Sequence, residues 1–236
     1  MLGSLVCRYG LCLGWVALLA SCLGGGLMNA RTGNAEKIMS ETEKTSGISL
    51  TGKAVVEKDK LVVDYTVKNT LSHSIYVFDK MVAYDAQGQP KIDPFTAYCF
   101  WEEPSTLRLV RAVLTIPPNM NVYSLEIPYA RELKPQASLT GRIELPVPVV
   151  EKSPFYQPPA DENSKIVKCN KIRLYIGWTE DREGTTILEQ TLGSEKGLRI
   201  RGSFRPHLVR ADLDASVDTV AHTDDFNRSL PQNSEK

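Results

Sequence analysis

The sequence predicts an all-β chain, folded as a two-layer antiparallel sandwich of about seven to nine strands. Three observations carry that expectation. Apolar residues recur with a period of two along five runs between residues 48 and 204. Turn chemistry separates the runs, as at Asn69-Thr70, Asp85-Ala86-Gln87-Gly88, Pro117-Pro118-Asn119 and Glu183-Gly184. No segment offers an amphipathic helix of about ten residues.

The runs differ in clarity. In 48–56, Ile48, Leu50, Ala54 and Val56 alternate with Ser49, Thr51 and Lys53. In 61–68, Leu61, Val63, Tyr65 and Val67 oppose Asp64, Thr66 and Lys68. In 137–145, Ala137, Leu139, Ile143 and Leu145 oppose Ser138, Thr140, Arg142 and Glu144. In 172–178, Ile172, Leu174, Ile176 and Trp178 share a face, and in 198–204 Leu198, Ile200 and Phe204 do. One apolar and one wet face suit antiparallel sheets. Two further runs are irregular. Segment 74–84 is apolar but interrupted at Asp79-Lys80. In 106–116 the parity set by Leu107 and Leu109 changes to that of Ala112, Leu114 and Ile116, which predicts a β-bulge near Val110-Arg111.

The start of the chain carries different information. Arg8 is followed by an uncharged stretch to Arg31, with an apolar core from Leu11 to Ala20. That core is too short for a membrane span of about 20 residues and fits a secretory signal. Its last residues, Leu19-Ala20-Ser21-Cys22, resemble a bacterial lipobox. The resemblance implies a signal peptide over 1–21 and palmitate-type acyl chains on Cys22. Leu23, rather than Asp, follows the Cys. By the same resemblance this favours the outer membrane, facing the periplasm, over the inner one. The alternative is an ordinary signal cut near Ala30 and a secreted soluble protein. Residues 22–46 read as a lipidated Cys and tether, 47–205 as the folded domain, and 206–236 as a polar, disordered tail.

Charge is balanced, with 28 basic and 28 acidic residues among 236, so nothing points to nucleic acid. Cys99 and Cys169 remain after processing. In an oxidising envelope they could form one disulfide, or remain two buried thiols.

No catalytic constellation, metal set or cofactor motif emerges. His73 lies in a turn, and His207 and His222 fall in or beside the tail, without partners for a triad or zinc site. Glu102 and Glu103 are adjacent, so on a strand they point apart. Asp79, Asp85 and Asp93 read as turn residues rather than calcium ligands. Two features suggest contact instead. The Pro-rich stretch Pro146–Pro159 holds Phe155 and Tyr156, which could anchor a partner or fold back to cap the sandwich. Lys171, Arg173, Arg199 and Arg201 would share one basic patch if their two strands are neighbours.

The stretch Leu61-Val62-Val63-Asp64-Tyr65-Thr66-Val67-Lys68-Asn69, with the polar turn after it, resembles immunoglobulin-like sandwiches of bacterial envelope proteins. It also resembles the β-sandwich of the bacterial intracellular proteinase inhibitor family. Leu133-Lys134-Pro135-Gln136-Ala137-Ser138-Leu139 matches the loop that turns into an outer strand. The likeness spans about 90 residues and implies fold. The expectation is a non-enzymatic, membrane-tethered envelope lipoprotein that binds or assembles with an envelope protein. The alternative is a proteinase-inhibitor-like domain acting through an exposed loop.

Overall fold

The computed structural model describes residues 42–43, 47–102, 104–117, 120–122, 125–155 and 164–222. Among them the chain is all-β and sandwich-like, with no helix. The strands are β1 (Thr42–Glu43), β2 (Ile48–Glu57), β3 (Lys60–Asn69), β4 (Ile75–Tyr84), β5 (Pro90–Asp93), β6 (Tyr98–Glu102) and β7 (Thr106–Arg111). They continue with β8 (Tyr129–Leu133), β9 (Ser138–Pro146), β10 (Val149–Val150), β11 (Ser164–Glu180), β12 (Thr185–Leu192), β13 (Glu195–Gly202) and β14 (His207–His222). The fourteen strands among the described residues exceed the seven to nine expected, because short pieces such as β1, β5 and β10 carry too few residues to show a period.

One sheet has the order β2-β3-β9. The larger sheet runs β1-β14-β11-β4-β8-β13-β12, with β7 and β6 branching from β11, β5 on β4, and β10 on β14. One edge of β11 is taken by β14 from Ser164 to Trp178. Its other edge is shared: Lys171–Ile176 pair with β7, and Gly177–Glu180 pair with β4. Two pairings are parallel, β7 with β11 and β10 with β14. The main core lies between the sheets. Leu50, Leu61, Val63, Val67 and Ile143 of the small sheet pack with Ile172, Leu174, Ile176, Val209 and Leu213 of the large one. Removing these side chains from water is the main drive to layer the sheets.

The clean alternations of β3, β9 and β11 hold. Leu61, Val63, Tyr65 and Val67 are buried while Asp64 and Lys68 are exposed. Asn69 closes β3 as a buried bracket. Its Nδ2 donates to His73 O at 2.9 Å and Leu133 O at 3.0 Å, and its Oδ1 accepts from Leu71 N at 2.9 Å. The interruption at Asp79 is real, since the register of β4 on β8 shifts between Phe78 and Lys80.

Three expectations need correction. The polar tail expected from 206 contains β14, a strand inside the larger sheet. Val209, Ala211, Leu213 and Val217 face the core, while Asp212, Asp214 and Asp218 fall on the opposite parity. The acidic residues mark a wet face, not disorder. The tether expected to 46 already contains β1, which pairs with β14 at Thr42 and Glu43. The parity change in 106–116 is not a bulge, because β7 keeps continuous register with β6 and β11. Instead both its faces are buried: Leu107 and Leu109 in the main core, Val110, Ala112 and Leu114 in a second cluster with Met81, Tyr98 and Phe100.

Candidate functional site

The outward face of the small sheet and the bulged part of β4 bound an open polar cleft of about 790 Å³. The floor follows from strand register. Thr51, Thr66 and Thr140 stand opposite one another across β2, β3 and β9, and Lys53, Asp64 and Arg142 form the next row. Period two puts both rows on the wet side of the sheet. Gly52 and Gly141 flank Tyr65 in the row between. A Cβ on Gly141 would fall inside the Tyr65 ring, so the absent side chain is what lets that ring lie across β9.

Arg111 holds the cleft together. It ends β7, where β4 replaces β7 beside β11, and it is 1% exposed. All five of its N–H donors are used. Nε donates to Thr96 O at 2.9 Å. Nη1 donates to Tyr65 Oη at 2.9 Å and Asp79 O at 2.8 Å. Nη2 donates to Pro94 O at 2.6 Å and Arg142 O at 2.9 Å. One side chain thus joins β3, β4, β9 and the loop between β5 and β6. Burial pushes the Tyr65 hydroxyl up to about 12, so it stays protonated.

Asp79 is the bulge residue and is 2% exposed. Arg131 of β8 grips its Oδ2 with both Nε, at 2.6 Å, and Nη2, and also donates to Thr140 O at 2.8 Å. Oδ1 of Asp79 has no hydrogen-bond partner among the described residues. Burial pushes the Asp79 carboxyl up, against the pull of Arg131 and Arg111. On the rim, Lys80 Nζ donates to Glu195 Oε2 at 2.9 Å and Lys196 O at 2.7 Å. Arg142 pairs with Asp64 at 3.3 Å and Glu144 at 2.8 Å. Five cations (Lys53, Lys80, Arg111, Arg131, Arg142) and three carboxylates (Asp64, Asp79, Glu195) line the cleft, so its field is positive. Among the described residues no group of three His, Cys, Asp or Glu could hold a metal ion.

The residues singled out in the sequence lie elsewhere. Cys22 and Tyr156 fall outside the described residues. Phe155 is half-buried and packs on the second cluster, the capping arrangement. The stretch before it is also tied down. Glu151 accepts from Trp101 N at 2.6 Å, and Lys152 exchanges two backbone bonds with Cys99. The four basic residues do not gather, because β4 and β8 separate β11 from β13. Lys171 and Arg173 stay on β11, where Arg173 pairs with Asp212 at 2.9 Å and Glu102 at 3.0 Å. Arg199 and Arg201 stay on β13, opposite Leu188 and Thr186.

Cys99 and Cys169 are free buried thiols. Register explains why. Cys99 aligns with Leu109, and Leu109 aligns with Leu174, five residues along β11 from Cys169. That is an offset of about 16 Å along the strands, far beyond disulfide reach. Asp85 and Asp93 are turn residues as expected, accepting from Gln87 N and Phe95 N. Asp79 is not. His73 meets Glu180 at 3.3 Å, and His207 stacks on Trp178 with ring centroids 4.6 Å apart.

The cleft residues were missed because they come from seven strands and the loop after β5. Their signal was present at two points: Arg111 continues the inward parity of Leu107 and Leu109, and Asp79 interrupts an apolar run. A charged residue at an inward position must find partners. No family model, no curated protein and no solved structure matches the chain.

Proposed function

We propose that this chain is a non-enzymatic protein-binding module of the cell envelope. In this reading an acylated Cys22 holds it at a membrane and the polar cleft meets a partner. The lipobox-like Leu19-Ala20-Ser21-Cys22 supports the tether. The observation that carries the binding reading is the cleft itself. Its walls are fixed by buried bonds from Arg111 and part-buried ones from Arg131, so the surface is preorganised and little ordering entropy is lost on docking. Phe155 packs on the second cluster, and Tyr156, the other residue of the inhibitor alternative, lies outside the described residues.

The test is site-specific photo-crosslinking in the envelope of living cells. A photoreactive residue replaces Thr140 in the cleft or, as a control, Thr186 on β12. The expected result is one discrete protein adduct from position 140 and none from 186. Absence of any adduct from 140, with the protein folded and abundant, rejects the reading.

A further inference from the structure

Resting on that reading, we infer that the cleft recognises an acidic peptide segment, laid across the strands with two carboxylates about three to four residues apart. Most cations of the cleft are already engaged. Arg111 has spent all five donors and contributes only its field. Arg142 is matched by Asp64 and Glu144, and Lys80 by Glu195. Lys80 keeps one N–H and Arg142 its Nη2, but both are already held by carboxylates; Lys53 and Arg131 mark the two ends of the cleft. Among the described residues Lys53 lines the cleft without an ion pair, and Arg131 retains Nη1 after Nε and Nη2 are committed.

These two stand at opposite edges of the small sheet. Lys53 is on β2, and Arg131 reaches the far side of β9 at Thr140 O. Two inter-strand steps separate β2 from β9 and the two positions lie one row apart, about 12 Å in all, which an extended chain covers in about three to four residues. One oxyanion cannot touch both ends, but two carboxylates on one segment can. Between them lies the row Thr51, Thr66, Thr140. Each hydroxyl both donates and accepts, as a peptide backbone requires.

The probe is a labelled peptide, acetyl-Gly-Glu-Gly-Gly-Glu-Gly-amide, with its Gln counterpart as control. Binding to the full chain in detergent is read by fluorescence anisotropy. The Glu peptide is expected to bind, the Gln peptide not, and added salt to weaken the complex. Lys53→Glu should weaken binding about tenfold or more, and Lys53→Arg should leave it unchanged. Lys53 is exposed, so both variants keep the fold, checked by circular dichroism. Equal binding of the Glu and Gln peptides, unchanged binding by Lys53→Glu, or full displacement by equimolar inorganic phosphate would each overturn the inference. If the Thr140 adduct persists while the acidic peptide fails, the ligand class is wrong and the binding module stands. If both fail, the module reading falls as well.

Discussion

Replacing Arg111 with Met removes a buried guanidinium and leaves an apolar chain of similar length. Its five acceptors then lose their donors. Two of them, Tyr65 Oη and Asp79 O, sit in fully buried bonds. Stranding each costs about 1–3 kcal/mol. The three carbonyls of Thr96, Pro94 and Arg142 are in part-buried bonds, where water can substitute at small cost. Against this, Met avoids the desolvation of a charge, which returns part of the loss. The balance is a destabilisation of about 3 kcal/mol. For a domain of this size each kcal/mol lowers Tm by about 2–4 °C, so the expected drop is about 6–12 °C. Thermal unfolding followed by circular dichroism reads it directly. Arg111→Lys keeps the charge with fewer donors and should fall between the two. A drop below about 3 °C for Arg111→Met would mean that desolvation cancels the five bonds, and that Arg111 does not hold the cleft together.

Other outcomes follow from the same structure. Trp178 is 4% exposed in the main core, so Trp178→Ala should cost about 3–5 kcal/mol in chemical denaturation; a cost under about 1 kcal/mol would contradict that burial. Burial, aided by Arg205, holds His207 below its ordinary 6.5, so the unfolded chain binds a proton at higher pH than the folded one. Stability from this group is complete above about 6.5 and is lost as pH falls through the lower folded value; His207→Gln should flatten that slope, and an unchanged slope would assign it to other groups. Cys99 is pushed up to about 12 and Cys169 is also raised, both by burial. Neither should react with a thiol reagent in the native protein at neutral pH, and both should react after unfolding without reductant; no reaction after unfolding would reveal a disulfide.

How far the fold could be read in the sequence depended on whether a strand had a wet side. β3, β9 and β11 face water on one side, and their alternation is plain in Leu61 to Val67, Leu139 to Leu145 and Ile172 to Trp178. β7 is buried on both faces, so its run has no polar parity and reads as a bulge. β14 carries the opposite difficulty. Its acidic outer face dominates the composition, while the inner series Val209, Ala211, Leu213, Val217 holds a strand period. The cleft depended on topology. Tyr65, Asp79, Arg111, Arg131 and Arg142 converge only because β4 follows β7 along β11 and β8 then follows β4. The separation of Arg173 from Arg199 has the same origin, since the intervention of β4 and β8 is not a property of either strand's sequence.

The tether is tested most directly by intact mass and membrane fractionation of the wild type beside Cys22→Ala. A membrane-bound wild type that carries acyl mass and begins at Cys22, with a mutant lacking both, is the expected result. A wild type that is soluble, unacylated and cut near Ala30 would contradict it, and the cleft would then belong to a freely secreted protein.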